Sequence, residues 1–479
     1  MKNLLVMKFG GTSMGSADRI RVSAALSAEQ RHRPVLIVVS AMSKVTDLLL
    51  DTLRHAEGGD KEGVARGLRT LEQRHEEACL ALLPADRAQA VLPRLRALIA
   101  EFERITNGVA MLGERPPRSV DEAVAIGERL STLLISEYLE STGVPSAAVN
   151  ARDVIVTDAV FGNATPLAEL TRQKAARVLR PLLEQGRLPV VTGFNGATID
   201  GRATTLGRGG SDFSASILAA ALDASELWIW TDVDGIMTAD PRLVPDAAVL
   251  DEVTYREAAE LAYAGAKVLH PRTLAPLVDK QIPVISKNSF DPTKPGTRIV
   301  PRIERPDGPR AVTSMANVAL VSLEPASASM NGTRLMARAL EALAGTGSEV
   351  LALSSSSYRQ NFCFLVRQSE VAAAVESLES ALSLELAHGY VKPIEVDSEV
   401  GLLAVVGEGM QGTPGLAGRI FTAISREKIN IIAIAQGSSE LTIAIVVRRE
   451  GLEKAVKAVH AECNLAHQGA AEAEAAARP

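Results

Sequence analysis

The chain has 479 residues, of which 47% are hydrophobic and 23% charged, so two or three globular domains are expected. A net charge of −6 argues against nucleic acid as a partner, because nucleic-acid-binding proteins carry a basic surface. The three cysteines lack disulfide or zinc spacing, and no apolar run reaches membrane-spanning length. These features predict a cytoplasmic protein with no membrane partner.

The N-terminal part of the chain predicts alternating strands and helices. Residues 4–7 and 35–42 are short aliphatic runs separated by an amphipathic stretch, which is typical of a β-α-β unit. From about residue 45 to 118 the apolar spacing is helical, so we predict a helical insertion that covers one edge of the sheet. Residues 188–196 and 226–235 contain further short apolar runs that end in small or polar residues, and we predict strands there. In open α/β sheets, ligands bind where strands end.

The C-terminal part contains an internal repeat. Residues 301–310 are rich in proline and charge, which predicts a linker after a first domain of residues 1–300. Beyond it, residues 338–367 can be laid without gaps on residues 419–448. We therefore predict two βαββαβ modules, 311–394 and 395–468, followed by a disordered Ala/Glu-rich tail, 469–479.

The first candidate site is the turn KFGGTS, residues 8–13, directly after the first predicted strand. It has neither the Walker spacing nor the GxGxxG pattern of dinucleotide-binding proteins. Paired glycines let the backbone approach an anion, and the lysine adds a full positive charge, so the turn can hold a phosphoryl group. A tight turn capped by Thr12 or Ser13 is the structural alternative.

A second glycine-rich turn, residues 208–212, opens another predicted helix. The guanidinium of Arg208 suits a carboxylate ligand, and Asp212 places an acid at the start of the helix. Because Ser211 and Asp212 are also good helix caps, a purely structural role stays open. Two such turns in one sheet domain strengthen the interpretation as a ligand site.

Three further stretches contain candidate residues with structural alternatives. Thr231, Asp232 and Asp234 end a predicted strand and could hold a ribose or, through water, a magnesium ion, although Asp-Gly pairs often only form turns. Lys287 closes another strand and could reach a phosphate. Glu128 precedes leucines at helical spacing, so we place it at a helix start, where the helix dipole favours an acid.

Taken in order, the stretches KFGGTS, VVSAM, GERLS, TLGRGGSD, TDVDG and AGAKVLHPRT, with the paired repeats, resemble the aspartate kinases of the amino-acid kinase family. The resemblance covers about residues 2–463. It implies an α/β fold: an open αβα sandwich of the amino-acid kinase type with two C-terminal ferredoxin-like ACT modules. It also implies transfer of the γ-phosphoryl group of ATP, with Mg²⁺, to the β-carboxylate of L-aspartate, the first step of lysine, threonine and methionine biosynthesis.

Carried over by position, the resemblance implies that Lys8 stabilises the transferring phosphoryl group. It also implies that Asp212 organises the catalytic centre, where we expect it to orient Lys8 or Arg208. Substrate contacts are expected from Ser40, Glu128, Arg208, Gly209, Gly210 and Ser211. Contacts to ATP and phosphate are expected from Lys8, Gly10, Gly11, Ser13, Thr231, Asp232, Met237, Arg242 and Lys287, and no resident metal ligand is assigned. Met237 departs from the family, in which many members carry a tyrosine beside the nucleotide at this position.

The ACT modules imply feedback inhibition by an amino acid and pairing between subunits of a homo-oligomer. The second repeat is nearer to the family pattern than the first, and threonine or lysine is the expected effector, with a lean to threonine. The expected effector contacts are Gly415, Asn430, Ile431, Gln436 and Ser438. A hairpin turn and a helix cap without ligand contacts are the structural alternative.

Two other functions fit parts of the sequence. A kinase of the same fold acting on glutamate, acetylglutamate or a nucleoside monophosphate would share the phosphate cradle, but most lack the ACT pair and the helical insertion. A non-enzymatic amino-acid sensor would have no reason to retain Lys8, Arg208 and Asp212 together. We expect no reductase domain, because no GxGxxG-bearing segment follows the repeats.

Overall fold

The computed structural model describes residues 3–266, 269–304, 308–326, 331–356 and 361–467. The described residues form two compact units. The first comprises Met1–Ile236, Asp251–Tyr255 and Leu269–Arg302, and the second comprises Met237–Leu250, Arg256–Val268 and the chain from Ile303 onward. The predicted tail, 469–479, lies outside the described residues.

Strands and helices alternate up to residue 300. In chain order they are β1 (Leu5–Phe9), α1 (Ala17–Glu29), β2 (Val35–Val39), α2 (Val45–Glu57), α3 (Lys61–Leu82), α4 (Ala85–Leu112), α5 (Pro117–Ser141), β3 (Ser146–Val149), β4 (Val156–Thr157), α6 (Ala168–Glu184), β5 (Leu188–Thr192), β6 (Asn195–Thr198), β7 (Ala203–Thr205), α7 (Gly210–Ala221), β8 (Glu226–Thr231), β9 (Glu252–Thr254), α8 (Tyr255–Tyr263), α9 (Pro271–Val278), β10 (Val284–Asn288) and β11 (Thr297–Val300).

The first unit is built on an eight-stranded sheet with the order β3-β5-β2-β1-β8-β10-β11-β9. The strands from β3 to β10 run parallel, so their carboxyl ends share one edge of the sheet. The central strands are short and aliphatic, and all five residues of both β1 and β2 are buried. Parallel strands covered on both faces have this composition. This arrangement confirms the predicted α/β class.

The two faces of the sheet receive alternate side chains of each strand. On β1, the side chains of Leu5, Met7 and Phe9 join one hydrophobic cluster with buried residues of α1 to α5. Lys8 alternates with these residues along β1, so its side chain lies on the opposite face of the sheet, where it contacts Asp212 of α7. The sequence predicts that the inserted helices cover an edge of the sheet, and this is wrong, because α2 to α5 extend the core of one face.

The second unit contains β12 (Ala311–Leu323), α10 (Gly332–Thr346), β13 (Ala352–Ser355), β14 (Phe362–Arg367), α11 (Val371–Ala381), α12 (Ser383–Ala387), β15 (Glu395–Val406), α13 (Leu416–Arg426), β16 (Ile431–Gln436), β17 (Thr442–Arg448) and α14 (Leu452–Glu462). Its strands form one six-stranded sheet in the order β13-β14-β12-β15-β17-β16. The helices of the first repeat and those of the second cover separate hydrophobic clusters.

The two repeats exchange strand segments through the long antiparallel pair β12 and β15. Residues 311–315 of β12 pair with residues 402–406 of β15, whereas residues 320–322 pair with residues 395–397. Each ferredoxin-like module is therefore completed by a strand segment that the other repeat contributes. The predicted βαββαβ modules are present, but their strands do not follow the division of the sequence at residues 394 and 395.

The second unit also includes a segment that precedes the repeats in sequence. Ala239 and Val244 belong to the same hydrophobic cluster as Ile420 of α13 and Val456 of α14. Thr238 Oγ1 lies 3.0 Å from Nε2 of the buried His460 on α14. Residues 237–250 therefore pack as part of the C-terminal unit, although they lie within the predicted catalytic domain, 1–300.

Candidate active site

A cleft of about 390 Å³ lies at the carboxyl ends of β1 and β2 in the first unit. Most residues that the sequence predicts for substrate and phosphate binding line this cleft. They are Lys8, Gly11, Ser40, Glu128, Arg208, Gly209, Gly210, Ser211 and Asp212. Residues that are more than 200 positions apart in sequence therefore meet at one place, as expected for the switch point of an open α/β sheet.

The central contact of the cleft is an ion pair between Lys8 and Asp212. Lys8 is held on β1 between Val38 of β2 and Ile229 of β8, and only 8% of the residue is exposed. Its Nζ lies 2.5 Å from Oδ1 of Asp212 in the first turn of α7, without hydrogen-bond geometry. Because both side chains are largely buried, the pair fixes a positive charge at the floor of the cleft.

The glycines beside Lys8 leave room that a side chain would fill. A Cβ atom on Gly10 would lie 3.3 Å from Nζ of Lys8, and one on Gly11 would lie 3.4 Å from the carbonyl oxygen of Ala41. The first distance is tighter than most Cβ contacts, so alanine at Gly10 would press on the lysine, whereas the second is an ordinary van der Waals contact. The glycine at position 10 therefore keeps the backbone open around the ammonium group.

Glu128 lies in the middle of α5, so its predicted place at a helix start is wrong. The residue is 2% exposed, its Oε1 accepts a hydrogen bond from the backbone N–H of Ala41 at 3.2 Å, and its Oε2 has no partner within the described residues. Burial raises the pKa of the Glu128 carboxyl to about 8. A buried acid with a free oxygen in a cleft is a binding group that awaits a donor or a cation.

The second glycine turn has the geometry that the sequence predicts. Gly209 adopts a left-handed conformation with φ of 67°, and α7 begins at Gly210. A Cβ on Gly210 would lie 2.5 Å from the Phe194 ring, so glycine is required there by close packing as well. Arg208 is exposed at the cleft and has no ion-pair partner among the residues that the structure describes. Its guanidinium is free to take a carboxylate.

Eight cleft residues were not predicted from the sequence. They are Ala41, Met42, Ser43, Lys44, Thr46, Asp47, Phe194 and Gly207. The first six follow Ser40 in the stretch AMSKVTD, between β2 and the first turn of α2. The signal that could have identified them is a run of polar residues immediately after a buried parallel strand, which is where ligands bind in such sheets.

The ends of the neighbouring strands β8 and β10 carry the predicted nucleotide contacts. Thr231 Oγ1 donates to Oδ1 of Asp232 at 3.3 Å at the end of β8. Lys287 donates from Nζ to the carbonyl oxygens of Lys294 and Pro295 at 3.3 and 3.2 Å, and burial lowers the pKa of its ammonium group. These residues lie on the same edge of the sheet as the cleft, but they do not line it.

Asp234 and Ser13 are engaged in contacts within the first unit. Asp234 Oδ2 lies 2.5 Å from Nζ of Lys294, and Asn288 Nδ2 donates to Oδ1 at 2.7 Å, so the pKa of this carboxyl is lowered. Ser13 is completely buried and shares a 2.8 Å hydrogen bond with Ser289. The phosphate contact predicted for Ser13 stays a prediction, and its hydroxyl already ties the first turn to the end of β10.

Met237 and Arg242 belong to the second unit. Met237 forms an isolated antiparallel bridge with Val249. Arg242 is mostly exposed and pairs with Asp240, with a closest approach of 2.5 Å. These observed contacts do not test whether Met237 and Arg242 bind ATP, so both ATP contacts stay predictions.

The predicted effector residues occupy both ends of β16 and one nearby helix cap. Asn430 and Ile431 lie at its start, Gln436 and Ser438 at its end, and Gly415 caps α13 with φ of 83°. Glu440 Oε2 accepts from the backbone N–H of Gly412 at 2.7 Å, which joins the loop before α13 to the turn after β16. Within this module, Gly415 therefore lies near the end of β16 and away from its start.

No cluster of three or more His, Cys, Asp or Glu side chains that could hold a metal ion occurs in the described part of the chain. Among its helices, none combines the length and the apolar character needed to cross a bilayer.

Residues 3–288 match the model of the amino acid kinase family, and residues 403–463 match an ACT domain model. A bifunctional aspartokinase/homoserine dehydrogenase of Arabidopsis thaliana is 35% identical over 463 residues, which is 95% of this chain and 50% of that protein. The chain thus spans about half the length of the bifunctional relatives that it matches.

A relative of similar length is the lysine-sensitive aspartokinase 3 of Escherichia coli, which is 33% identical over 96% of this chain and 99% of its own. The crystal structure of E. coli aspartokinase III with aspartate and ADP superposes with a TM-score of 0.83, at 32% identity, over 96% of this chain and 99% of that one. Together with the cleft and the ACT sheet, these matches show that the chain belongs to the aspartokinases of the amino acid kinase family.

Proposed function

We propose that the protein is an aspartate kinase that transfers the γ-phosphoryl group of ATP to the β-carboxylate of L-aspartate. The observation that carries this proposal is the meeting of Lys8, Glu128, Arg208 and Asp212 in one cleft. Aspartate carries two carboxylates and one ammonium group. The cleft offers exposed cations for the carboxylates and the buried Glu128 for the ammonium group, which leaves Lys8 for the phosphoryl group. The E. coli relative has been crystallised with aspartate and ADP, which supports the same ligands here.

The reaction needs positioning and charge neutralisation more than proton transfer. The β-carboxyl of aspartate has a reference pKa of about 3.9, so the nucleophile is already ionised at neutral pH and requires no general base. In phosphoryl transfer the negative charge is spread over the transferring group, and fixed cations stabilise it. Lys8 supplies such a cation, while Asp212 holds its ammonium group in place and does not abstract a proton.

The residues at the first turn fit a nucleotide phosphate. Gly10 and Gly11 leave the space that a Cβ would fill, next to a buried ammonium group. We propose that ATP binds with Mg²⁺, which would neutralise charge on the phosphates. The ion would be held chiefly by the nucleotide and water, with Asp232, which follows β8, as a nearby carboxylate.

We further propose that the ACT modules bind a feedback-inhibiting amino acid, threonine or lysine, and join subunits of a homo-oligomer in the cytoplasm. The relative named lysine-sensitive supports an effector of this chemical class. The candidate contacts stay those at Gly415, Gln436 and Ser438 on one side of the module, with Asn430 and Ile431 on the other.

The activity is tested by following ADP release with ATP and Mg²⁺ in the presence of L-aspartate. ADP release that depends on aspartate is expected. Parallel reactions contain glutamate, N-acetylglutamate or a nucleoside monophosphate, none of which should replace it. ADP release with one of these acceptors alone would identify a different kinase of the same fold. Amino-acid binding without any ADP release would indicate a sensor.

The effector is tested in the same assay with lysine, threonine and methionine, singly and in pairs. Inhibition by threonine or lysine at millimolar levels is expected. If neither amino acid, alone or combined, alters the rate, the regulatory part of the proposal is wrong while the kinase activity stands.

A further inference from the structure

The loop between β2 and α2 contains a lysine in an unfavourable backbone conformation. Lys44 has φ of 63° and ψ of 8°, and it follows Ser43 in a turn closed by a hydrogen bond from Val45 N–H to the Met42 carbonyl at 2.9 Å. Glycine is the residue that adopts this geometry without strain. A lysine is strained in this conformation, and such strain is concentrated at functional sites.

The Lys44 side chain is placed where a ligand would meet it. Lys44 is exposed and lines the same cleft as Glu128 and Arg208. It has no ion-pair partner within the described ranges of the chain, although Asp47, another cleft residue, lies only three positions away. The partnerless Oε2 of Glu128, a residue only 2% exposed, independently marks this part of the cleft as a ligand site.

The turn is held in place from the helical insertion. Arg74 of α3 donates from a guanidinium nitrogen to the carbonyl oxygen of Ser43 at 2.9 Å, directly before Lys44. Helix α3 approaches α2 through glycines, since a Cβ on Gly67 would lie 2.1 Å from Thr52 Oγ1. Close packing of α3 on α2 thus holds Arg74 in place, and Arg74 in turn holds the peptide group between Ser43 and Lys44.

We propose that Lys44 is a further substrate-binding residue whose ammonium group binds a carboxylate of the acceptor amino acid, and that Arg74 is its positioning residue. This inference rests on the proposed aspartate kinase activity. Lys8 is already paired with Asp212, so Arg208 and Lys44 are the two cleft cations available to the two carboxylates of a dicarboxylic amino acid. A monocarboxylic amino acid would leave one of them without a ligand, which gives the cleft its specificity.

The first test separates the charge of Lys44 from its backbone. Lys44→Met keeps the strained backbone and removes the charge, and we expect the KM for aspartate to rise about tenfold or more, with the KM for ATP nearly unchanged. Lys44→Gly relieves the strain, so it should lose aspartate affinity to the same degree without losing thermal stability.

Lys428→Gly is the matched control, because Lys428 is also an exposed lysine with φ of 59° and lies far along the chain in the second unit. It should change stability as Lys44→Gly does and leave all kinetic constants unaltered. An unchanged KM for aspartate in Lys44→Met, or a rise confined to ATP, overturns the assignment. Wild-type protein without aspartate-dependent ADP release overturns the proposed function itself.

The second test addresses Arg74. Arg74→Met should raise the KM for aspartate at similar kcat, and Arg74→Lys should restore part of the loss. Arg69→Met, at an exposed position of the same helix, is the control and should have no effect. If Arg74 acts through Lys44, the double variant Lys44→Met/Arg74→Met will be no worse than the more affected single variant. Additive losses would show that Arg74 has another role.

Discussion

Asp212 lies 2.5 Å from Lys8 although the two residues are separated by 204 positions, one on a central strand and the other in the first turn of a helix. Their side chains are 20% and 10% exposed, respectively, so neither charge is well solvated. Removing one partner of such a pair leaves the other poorly compensated, whereas removing both is better tolerated. Activity and stability can therefore be separated at this pair.

Lys8→Met is expected to lower kcat by several orders of magnitude, because no other buried cation occupies the floor of the cleft in the described chain. The fold should persist, with a loss of stability of about 1–3 kcal/mol from the uncompensated Asp212. The double variant Lys8→Met/Asp212→Asn should regain most of that stability without regaining activity. Steady-state kinetics and chemical denaturation measure the two effects.

Near-normal turnover in Lys8→Met would contradict the central role of the lysine. If the double variant were less stable than the single variant, the ion pair would not be the source of the stability change. Arg69→Met again provides a variant that changes one exposed charge elsewhere in the same unit.

Glu128 makes stability depend on pH in a defined direction. Its pKa is raised by burial from an ordinary value of 4.5 to about 8. Between these values the unfolded chain carries an ionised Glu128 while the folded protein keeps it protonated, so the folded state loses stability as the pH rises. The stability that comes from protonating Glu128 in the folded state is fully present below about pH 4.5 and is lost by about pH 8.

Glu128→Gln removes this titration and keeps the shape of the side chain. As the pH rises from 5 to 8, the wild type should therefore lose unfolding free energy relative to Glu128→Gln. The expected loss is up to about 1.4 kcal/mol per pH unit. Denaturant titrations at four pH values, without substrate, measure it. Parallel pH profiles for the two proteins would mean that Glu128 is ionised in the free cleft.

Gly67 of α3 lets this helix pack closely against Thr52 of α2. Gly67→Ala would place a Cβ 2.1 Å from Thr52 Oγ1, which requires the helices to shift, and we expect a loss of about 1–3 kcal/mol. Thr52→Ala removes that oxygen and leaves the next atom 3.1 Å away, so the double variant should recover part of the loss. Thermal unfolding of the single and double variants measures both effects.

Gly108→Ala is the matched control, because this glycine lies within α4 and a Cβ there would meet nothing within 4 Å. It should stabilise the protein by about 0.5–1 kcal/mol, since alanine is the better helix former. Equal effects of the two glycine substitutions would show that helix packing at Gly67 is looser than the distances indicate.

Local sequence patterns predicted residues that meet in the cleft where candidate ligand residues lie beside glycines that shape the backbone. The turns at Gly10 and Gly209 combine both properties, and their neighbours Lys8 and Asp212 meet as predicted. Glu128 is different, because an acid within an amphipathic helix gives no sequence signal that its side chain is buried against a cleft. Its depth in α5 follows from the packing of the helical insertion on the sheet.

The C-terminal modules show another limit of the sequence. The gapless match between residues 338–367 and 419–448 correctly predicts two modules of the same type. It cannot predict which strand completes each one, because β12 and β15 have similar apolar patterns along their whole lengths. That choice depends on long-range pairing between residues about 75 to 95 positions apart.

The exchange of strand segments between β12 and β15 ties the melting of one ACT module to that of the other. A cut near residue 394 would deprive each fragment of a β-strand, so neither half is expected to survive as an autonomous folding domain. Calorimetry of the C-terminal half should then record one cooperative endotherm in place of two, and an amino acid bound to either module would protect both from heat.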